Sequence, residues 1–139
     1  MQPLTGWMKA TLYFVAAYNV LAGLSMLVNS ADSYRMIGIS PPDSDYLLHL
    51  CGLVIALFGV GYFWVVRRPL ENQGVLALGM ASKLAGSALG VAYVAAGRLP
   101  PRFLAMAIVS DLIYVPLFWL ILRRLRRVSQ CQGTVAGDP

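Results

Sequence analysis

Residues 74–96 read GVLALGMASKLAGSALGVAYVAA, and residues 103–122 read FLAMAIVSDLIYVPLFWLIL. Each stretch is long enough to cross the hydrocarbon core of a bilayer as a helix, which takes about 20 apolar residues. Each also holds one ionisable residue near its middle, Lys83 in the first and Asp111 in the second. A charge at that depth is costly and by default indicates a functional site, and the obvious partner of each residue is the other.

The rest of the chain is similarly apolar. Two further apolar runs cover residues 7–28 and 47–66, and only 12% of the 139 residues are charged while 58% are hydrophobic. Soluble domains carry roughly 25% charged residues. A β-barrel would need strands in which polar and apolar residues alternate, and the apolar runs show no such alternation. The sequence therefore predicts an all-α fold, an integral membrane four-helix bundle. It forms one domain over residues 1–128, with a polar, disordered cytoplasmic tail at 129–139.

The basic residues predict the orientation. Seven Lys and Arg residues fall on one predicted side of the membrane and three on the other. The side rich in Lys and Arg is normally cytoplasmic. Both termini are then cytoplasmic, as expected for a multi-pass protein of the bacterial inner membrane. The seven are Lys9, Arg67, Arg68, Arg123, Arg124, Arg126 and Arg127, and the three are Arg35, Arg98 and Arg102.

An alternative treats the first apolar run as a cleaved signal peptide, with Val28 and Ser30 as small residues before the cut. The apolar core of this run is longer than the 7–15 residues typical of a signal peptide. Cleavage would leave three helices and place the new amino terminus outside the cell.

A polar layer is expected near the membrane midplane. With a rise of about 1.5 Å per residue, Lys83 lies about 14 Å, Asp111 about 16 Å and Asn19 about 18 Å from the cytoplasmic ends of their helices. Adjacent helices joined by a short loop are neighbours, so the three side chains can meet. Together with Tyr114 and with His49, near the outer end of its helix, they are the candidates for binding a ligand or relaying protons.

Small residues indicate which helix faces are packed. Helix faces lined by small residues let backbones approach closely, so Lys83, which lies on such a face, is predicted to point into the protein rather than toward lipid. The small residues on its helix are Gly79 and Ser87, in line with Lys83, and Ser82, Gly86 and Gly90 beside it; on the second helix they are Gly52, Ala56 and Gly59, in line with His49.

Pro116 lies beyond Asp111 and cannot donate a backbone hydrogen bond to the carbonyl of Leu112, so the fourth helix should kink close to the charged pair. Two interpretations of the pair remain open. Lys83 and Asp111 could neutralise each other and fix how the helices pair. They could equally relay protons or anchor the polar end of a substrate.

Other chemistries find little support in the sequence. With one His, and with Cys51 and Cys131 on opposite predicted sides, there is no metal-ligand cluster, no CxxC pair and no glycine-rich nucleotide loop. No cofactor is predicted, and an enzyme acting alone is the least supported class because no nucleophile and base stand together. The basic residues cluster at the ends of apolar runs, which argues against nucleic acid as a partner. Arg123, Arg124, Arg126 and Arg127 could hold anionic lipid headgroups or serve as a topology anchor.

One family resemblance can be stated. The segment with Gly79, Lys83 and Gly86, followed by Leu99-Pro100 and by Asp111-Leu112-Ile113 with Pro116 and Phe118, resembles small bacterial inner-membrane proteins of the DoxX-like group. The resemblance covers about the last two thirds of the chain. It implies a small membrane subunit of a quinone-linked oxidoreductase of sulfur compounds, or a partner in redox homeostasis. Because the sequence supplies no redox centre, it implies at most an accessory role.

Three functions remain as hypotheses. The first is an accessory subunit that holds a quinone or another apolar small molecule at the polar layer. The second is a structural subunit of a larger membrane complex or homo-oligomer, in which the charged pair fixes the register of the helices. The third is a small proton-coupled transporter or exporter, against which the lack of an inverted repeat counts mildly.

Overall fold

The computed structural model describes the backbone of residues 3–135 and the side chains of residues 3–131. Within that part of the chain every regular element is helical and there is no strand. The prediction of an all-α protein is confirmed. The elements are α1 (Gly6–Val28), α2 (Ser30–Ile37), α3 (Tyr46–Arg67), α4 (Gln73–Ala95), α5 (Arg102–Ser110), a 3₁₀ turn (Leu112–Tyr114) and α6 (Val115–Val135).

Four segments are long and apolar enough to cross a membrane: Gly6–Val28, Tyr46–Arg67, Gln73–Ala95 and Arg102–Cys131. Their outward faces carry large apolar side chains, including Phe14, Leu21, Leu57, Leu78 and Val109. Monomeric soluble proteins rarely expose contiguous apolar patches larger than a few hundred Å², whereas lipid tails accept such a surface. The architecture is therefore that of a multi-pass membrane protein, as the sequence predicts.

The fourth span is broken near its middle. Helix α5 ends at Ser110, Asp111 has non-helical torsions (φ −127°, ψ −59°), and the next turn is 3₁₀. Pro116, in the first turn of α6, has no N–H to offer the Leu112 carbonyl, so an uninterrupted α-helix cannot form there. Instead Val115 donates to Leu112, and Tyr114 donates to the Asp111 carbonyl at 3.1 Å. The kink predicted from Pro116 takes the form of a complete break at Asp111.

The closest helix pair is α1 with α3. A Cβ at Gly23 would collide with the backbone of Gly52 and Ala56, and a Cβ at Gly59 would collide with the Ala16 carbonyl. Small residues thus allow these two backbones to touch, as their spacing in the second apolar run indicates. Helix α4 packs against α3, α5 and α6.

The apolar core lies at one end of the protein. It joins the beginning of α1, the end of α3, the beginning of α4 and the first half of α6. The Arg124 Nε also donates to the Pro3 carbonyl at 3.1 Å, so the start of the described chain is held against α6. This cluster contains Leu4, Met8, Leu12, Val15, Tyr62, Val65, Leu76, Phe118, Ile121 and Leu125, among others.

At the opposite end, a short helix occupies the predicted loop between the first two spans. Helix α2 is tied to the start of α3 by the Ser30 hydroxyl, which donates to the Asp45 carboxylate at 2.7 Å. It ends at Gly38, whose φ of +88° few other residues adopt and whose missing side chain leaves space for Arg102 of α5. The contact places α2 against the beginning of α5.

Residues 129–135, predicted from the sequence to be a disordered tail, continue α6 as helix. Residues 123–132 contain no glycine or proline that would end the helix soon after the apolar run. Buried Leu125 and Val128 extend the packed face of α6 past the predicted end of the span at Leu122. Residues 136–139 of the expected tail lie outside the described residues.

Candidate polar site within the apolar spans

Lys83 lies on the packed face of α4. The buried residues of this helix are Leu76, Gly79, Lys83, Ser87 and Gly90, which follow one another at helical spacing. Only 7% of the Lys83 side chain is exposed. The prediction that Lys83 points into the protein is confirmed, whereas Ser82 and Gly86, from the neighbouring ladder of small residues, lie on the outer surface.

The structure brings Lys83 and Asp111 together. The Lys83 Nζ lies 2.6 Å from Asp111 Oδ1 and donates a second hydrogen bond to the Ser110 carbonyl at 3.3 Å. The break after Ser110 makes that carbonyl available, because it interrupts the helical hydrogen-bond pattern there. An ammonium has three donors. Two are used by the segment that interrupts the fourth span.

Asp111 is much more open than its partner. Its Oδ2 accepts a hydrogen bond from the Ser110 hydroxyl at 3.2 Å, and 36% of its side chain is exposed. The pair therefore combines a buried cation with a carboxylate that keeps an accessible edge.

One tyrosine lies beside the ammonium, and two more interact electrostatically with Asp111. The Tyr114 ring lies beside the ammonium, with its centroid 5.7 Å from Lys83 Nζ, a cation–π distance. Tyr62 and Tyr18 are close enough to Asp111 to interact with its charge. Tyr62 is almost fully buried, and its hydroxyl packs against Gly79, one turn before Lys83 on α4.

Ser87 supplies a further polar atom on the same face, one turn after Lys83. Its hydroxyl oxygen is buried and has no hydrogen-bond partner among the described residues. An unsatisfied buried hydroxyl costs roughly 1–3 kcal/mol. A water or a polar atom of a bound molecule would remove that cost.

The structure does not join Asn19 or His49 to this cluster. The Asn19 side-chain amide is buried but donates to the Val15 carbonyl of its own helix at 2.8 Å. His49 is half-buried in the first turn of α3. It is separated from Tyr62 by thirteen residues of the same helix, or about 20 Å along the axis.

The four arginines that follow Leu122 do not share one face. Arg123, Arg124 and Arg127 border a groove of about 550 Å³ between α6 and the start of α1. Arg126 is exposed and does not border it. The Arg123 guanidinium lies over the Trp119 ring at 5.2 Å.

Cys51 and Cys131 are free and exposed thiols. Among the residues with described side chains, no group of three His, Cys, Asp or Glu could hold a metal ion. The groups that the site offers to a ligand act by hydrogen bonding and charge: an ammonium donor, a carboxylate acceptor and nearby phenol and serine hydroxyls.

The chain matches none of the protein-family models, curated proteins or solved structures with which it was compared. The resemblance to the DoxX-like group stays a prediction.

Sequence reasoning missed Ser110, Tyr62 and Tyr18 as members of the site. Ser110 could have been noticed as the hydroxyl directly before the buried acid. Tyr62 and Tyr18 carry no such signal, because their proximity to Asp111 depends on how α1 and α3 pack against the fourth span.

Proposed function

We propose that this protein is an accessory subunit that holds an apolar small molecule, such as a quinone, with its polar end at Lys83 and Asp111. The proposal includes the DoxX-like resemblance and a location in the bacterial inner membrane. The observation that carries it is the open edge of Asp111, 36% exposed in the middle of an apolar span. An acid at that depth is expensive unless a partner with hydrogen-bond donors covers it.

The donors and acceptors of the site suit both redox forms of a quinone. The hydroxyls of a quinol would donate to the exposed carboxylate of Asp111. The carbonyl of a quinone would accept from the remaining donor of the Lys83 ammonium. Tyr114 supplies flat aromatic surface next to the ammonium, and aromatic rings favour stacked or edge contacts with one another. An apolar tail would lie along the spans.

We also propose that the four spans form one bundle with the beginning of α1 and the end of α6 at the cytoplasmic side. The core cluster and the Arg124–Pro3 hydrogen bond support this arrangement, because they join those two ends with the α3–α4 connection. Six of the seven basic residues counted on one predicted side lie at the end of α3, in the α3–α4 connection or in α6, and the seventh, Lys9, lies in α1. A single positively charged end agrees with the positive-inside rule.

The test is binding of a ubiquinone analogue with a short tail, measured by native mass spectrometry on the purified protein in detergent. The unmodified protein should retain the analogue, and Lys83→Met combined with Asp111→Leu should lose it. The double variant is used because removing both charges of a buried pair need not unfold a protein. Lys9→Met, an exposed lysine of α1, is the matched control and should bind normally. Equal retention by the double variant would refute the proposal.

A second candidate is a structural subunit of a larger membrane complex. The observation that favours it is the outer face of α4, where Ser82 and Gly86 are exposed and a Cβ at Gly86 would meet nothing within 4 Å. Small residues on an unoccupied helix face permit close approach of a helix from another subunit. Extraction with partner chains in fixed stoichiometry, and loss of those partners in Gly86→Leu, would favour this function over the first.

A further inference from the structure

We propose that the groove between the beginning of α1 and the middle of α6 binds an anionic phospholipid, with Arg123 and Arg127 contacting its phosphate. This site is separate from the polar cluster around Lys83. The bottom of the groove is apolar, formed by Trp7, Met8, Leu120 and Val128. Its volume of about 550 Å³ is in the range of small-molecule sites, which is roughly 300–1,000 Å³.

The arrangement of the groove matches the two parts of a phospholipid. Leu120, Arg123 and Arg127 follow one another at intervals of three and four residues, so apolar and basic residues share one face of α6. Trp7 is exposed at the start of α1, next to the described amino end. Tryptophan at the end of a span favours the depth of the lipid headgroups. An acyl chain can therefore cover the apolar residues while its phosphate reaches the arginines.

Charge supplies the reason for an anionic occupant. Arg123 and Arg127 lie four residues apart on one helix, where like charges repel. In the part of the chain with described side chains, neither forms a salt bridge with a carboxylate. A phosphate between the two guanidinium groups would relieve the repulsion and accept paired hydrogen bonds, which the planar guanidinium is shaped to donate.

Arg124 has a structural role. Its Nε donates to the Pro3 carbonyl, so this side chain fixes the amino end of the described chain to α6 and forms a wall of the groove. Arg126 is the natural control, because it carries the same charge on the same helix but does not border the groove.

The experiment uses Trp7 as the reporter, in the full chain with Trp64→Phe and Trp119→Phe. The protein is reconstituted in phosphatidylcholine vesicles that contain a variable fraction of phosphatidylglycerol brominated on its acyl chains, a quencher of tryptophan fluorescence. Brominated phosphatidylcholine is the reference lipid. The quantity measured is the lipid fraction that gives half-maximal quenching of Trp7, and we expect brominated phosphatidylglycerol to quench at the lower fraction.

Arg123→Gln and Arg127→Gln should each raise that half-quenching fraction by about tenfold more than Arg126→Gln does, the fold-change typical of losing one charge-assisted hydrogen bond. All three variants lose the same general attraction to anionic lipid, so only the difference reports the groove. Leu120→Phe, which keeps every arginine and fills the apolar floor, should also weaken the preference for phosphatidylglycerol.

Two results would overturn the proposal. Equal shifts in the three arginine variants would mean that the cluster acts as a general charge anchor for topology. Equal quenching of Trp7 by the two brominated lipids in the unmodified arginine background would mean that the groove does not select an anionic headgroup. Because Leu120 is exposed and its replacement alters no charge, that variant reports on the groove even if an arginine variant folds poorly.

Discussion

Replacing Asp111 with leucine removes the carboxylate that lies 2.6 Å from Lys83 Nζ and leaves an ammonium that is 7% exposed. Breaking a buried ion pair in this way typically costs about 3–5 kcal/mol. Lys83 would keep its hydrogen bond to the Ser110 carbonyl and its contact with the Tyr114 ring. A loss of about 3 kcal/mol in the free energy of unfolding, at the low end of that range, is therefore expected.

Replacing Lys83 instead of Asp111 should lower the free energy of unfolding by less. Lys83→Met leaves Asp111 with the Ser110 hydroxyl and with 36% of its side chain exposed, so we expect a loss of about 1–2 kcal/mol. The double variant Lys83→Met with Asp111→Leu should lie within about 1 kcal/mol of the unmodified protein. The two residues would then have a coupling free energy of about 3–5 kcal/mol.

The measurement is unfolding in mixed micelles with increasing dodecyl sulfate, followed by far-ultraviolet circular dichroism. Lys9→Met, which removes an exposed charge from α1, is the control and should change the stability little. The reasoning would be refuted if the losses of the two single variants added up in the double variant. It would also be refuted if Lys83→Met were the more destabilising of the two.

Two further predictions concern packing and orientation. Gly79→Ala should destabilise the protein by about 1–3 kcal/mol, because its Cβ would overlap the Tyr62 ring and hydroxyl. Gly86→Ala, seven residues later and without neighbours within 4 Å, should be neutral or stabilising by up to about 1 kcal/mol in the same unfolding assay. In sealed, right-side-out vesicles, Cys131 should react with a membrane-impermeant maleimide only after the membrane is opened, because it lies at the predicted cytoplasmic end. If closed vesicles were labelled and this labelling disappeared in Cys131→Ser, the proposed orientation would be wrong.

The spans could be predicted because hydrophobic length alone specifies them. The first span was predicted to begin at Trp7 and the helix begins at Gly6, and the predicted and observed ends coincide at Val28. The inward direction of Lys83 followed from the small residues in line with it. The break at Asp111 was predictable in kind, because proline cannot complete a helical hydrogen bond, but the 3₁₀ turn that replaces the helix was not.

The partners of Asn19 could not be read from its depth. Depth placed it level with Lys83, yet a side-chain amide in a helix can also bond to the carbonyl four residues earlier, and Asn19 does so with Val15. Rotation of a helix about its axis depends on packing against other helices, which no single span encodes. The continuation of α6 to Val135 has a similar cause, since Val128 is buried beyond Leu122, the predicted end of the span.

The break in the fourth span also has an electrostatic consequence. A helix carries about half a negative charge at its carboxyl end, and α5 ends at Ser110, whose carbonyl points at the Lys83 ammonium. This helix dipole interaction is worth about 0.3–1 kcal/mol at exposed sites and up to about 2 kcal/mol in partly buried ones. Lys83 is thus held by a side-chain charge and by a backbone partial charge, and only the first can be removed by substitution. The Lys83 side chain therefore keeps one hydrogen-bond partner on the fourth span even while the Asp111 carboxylate is engaged elsewhere.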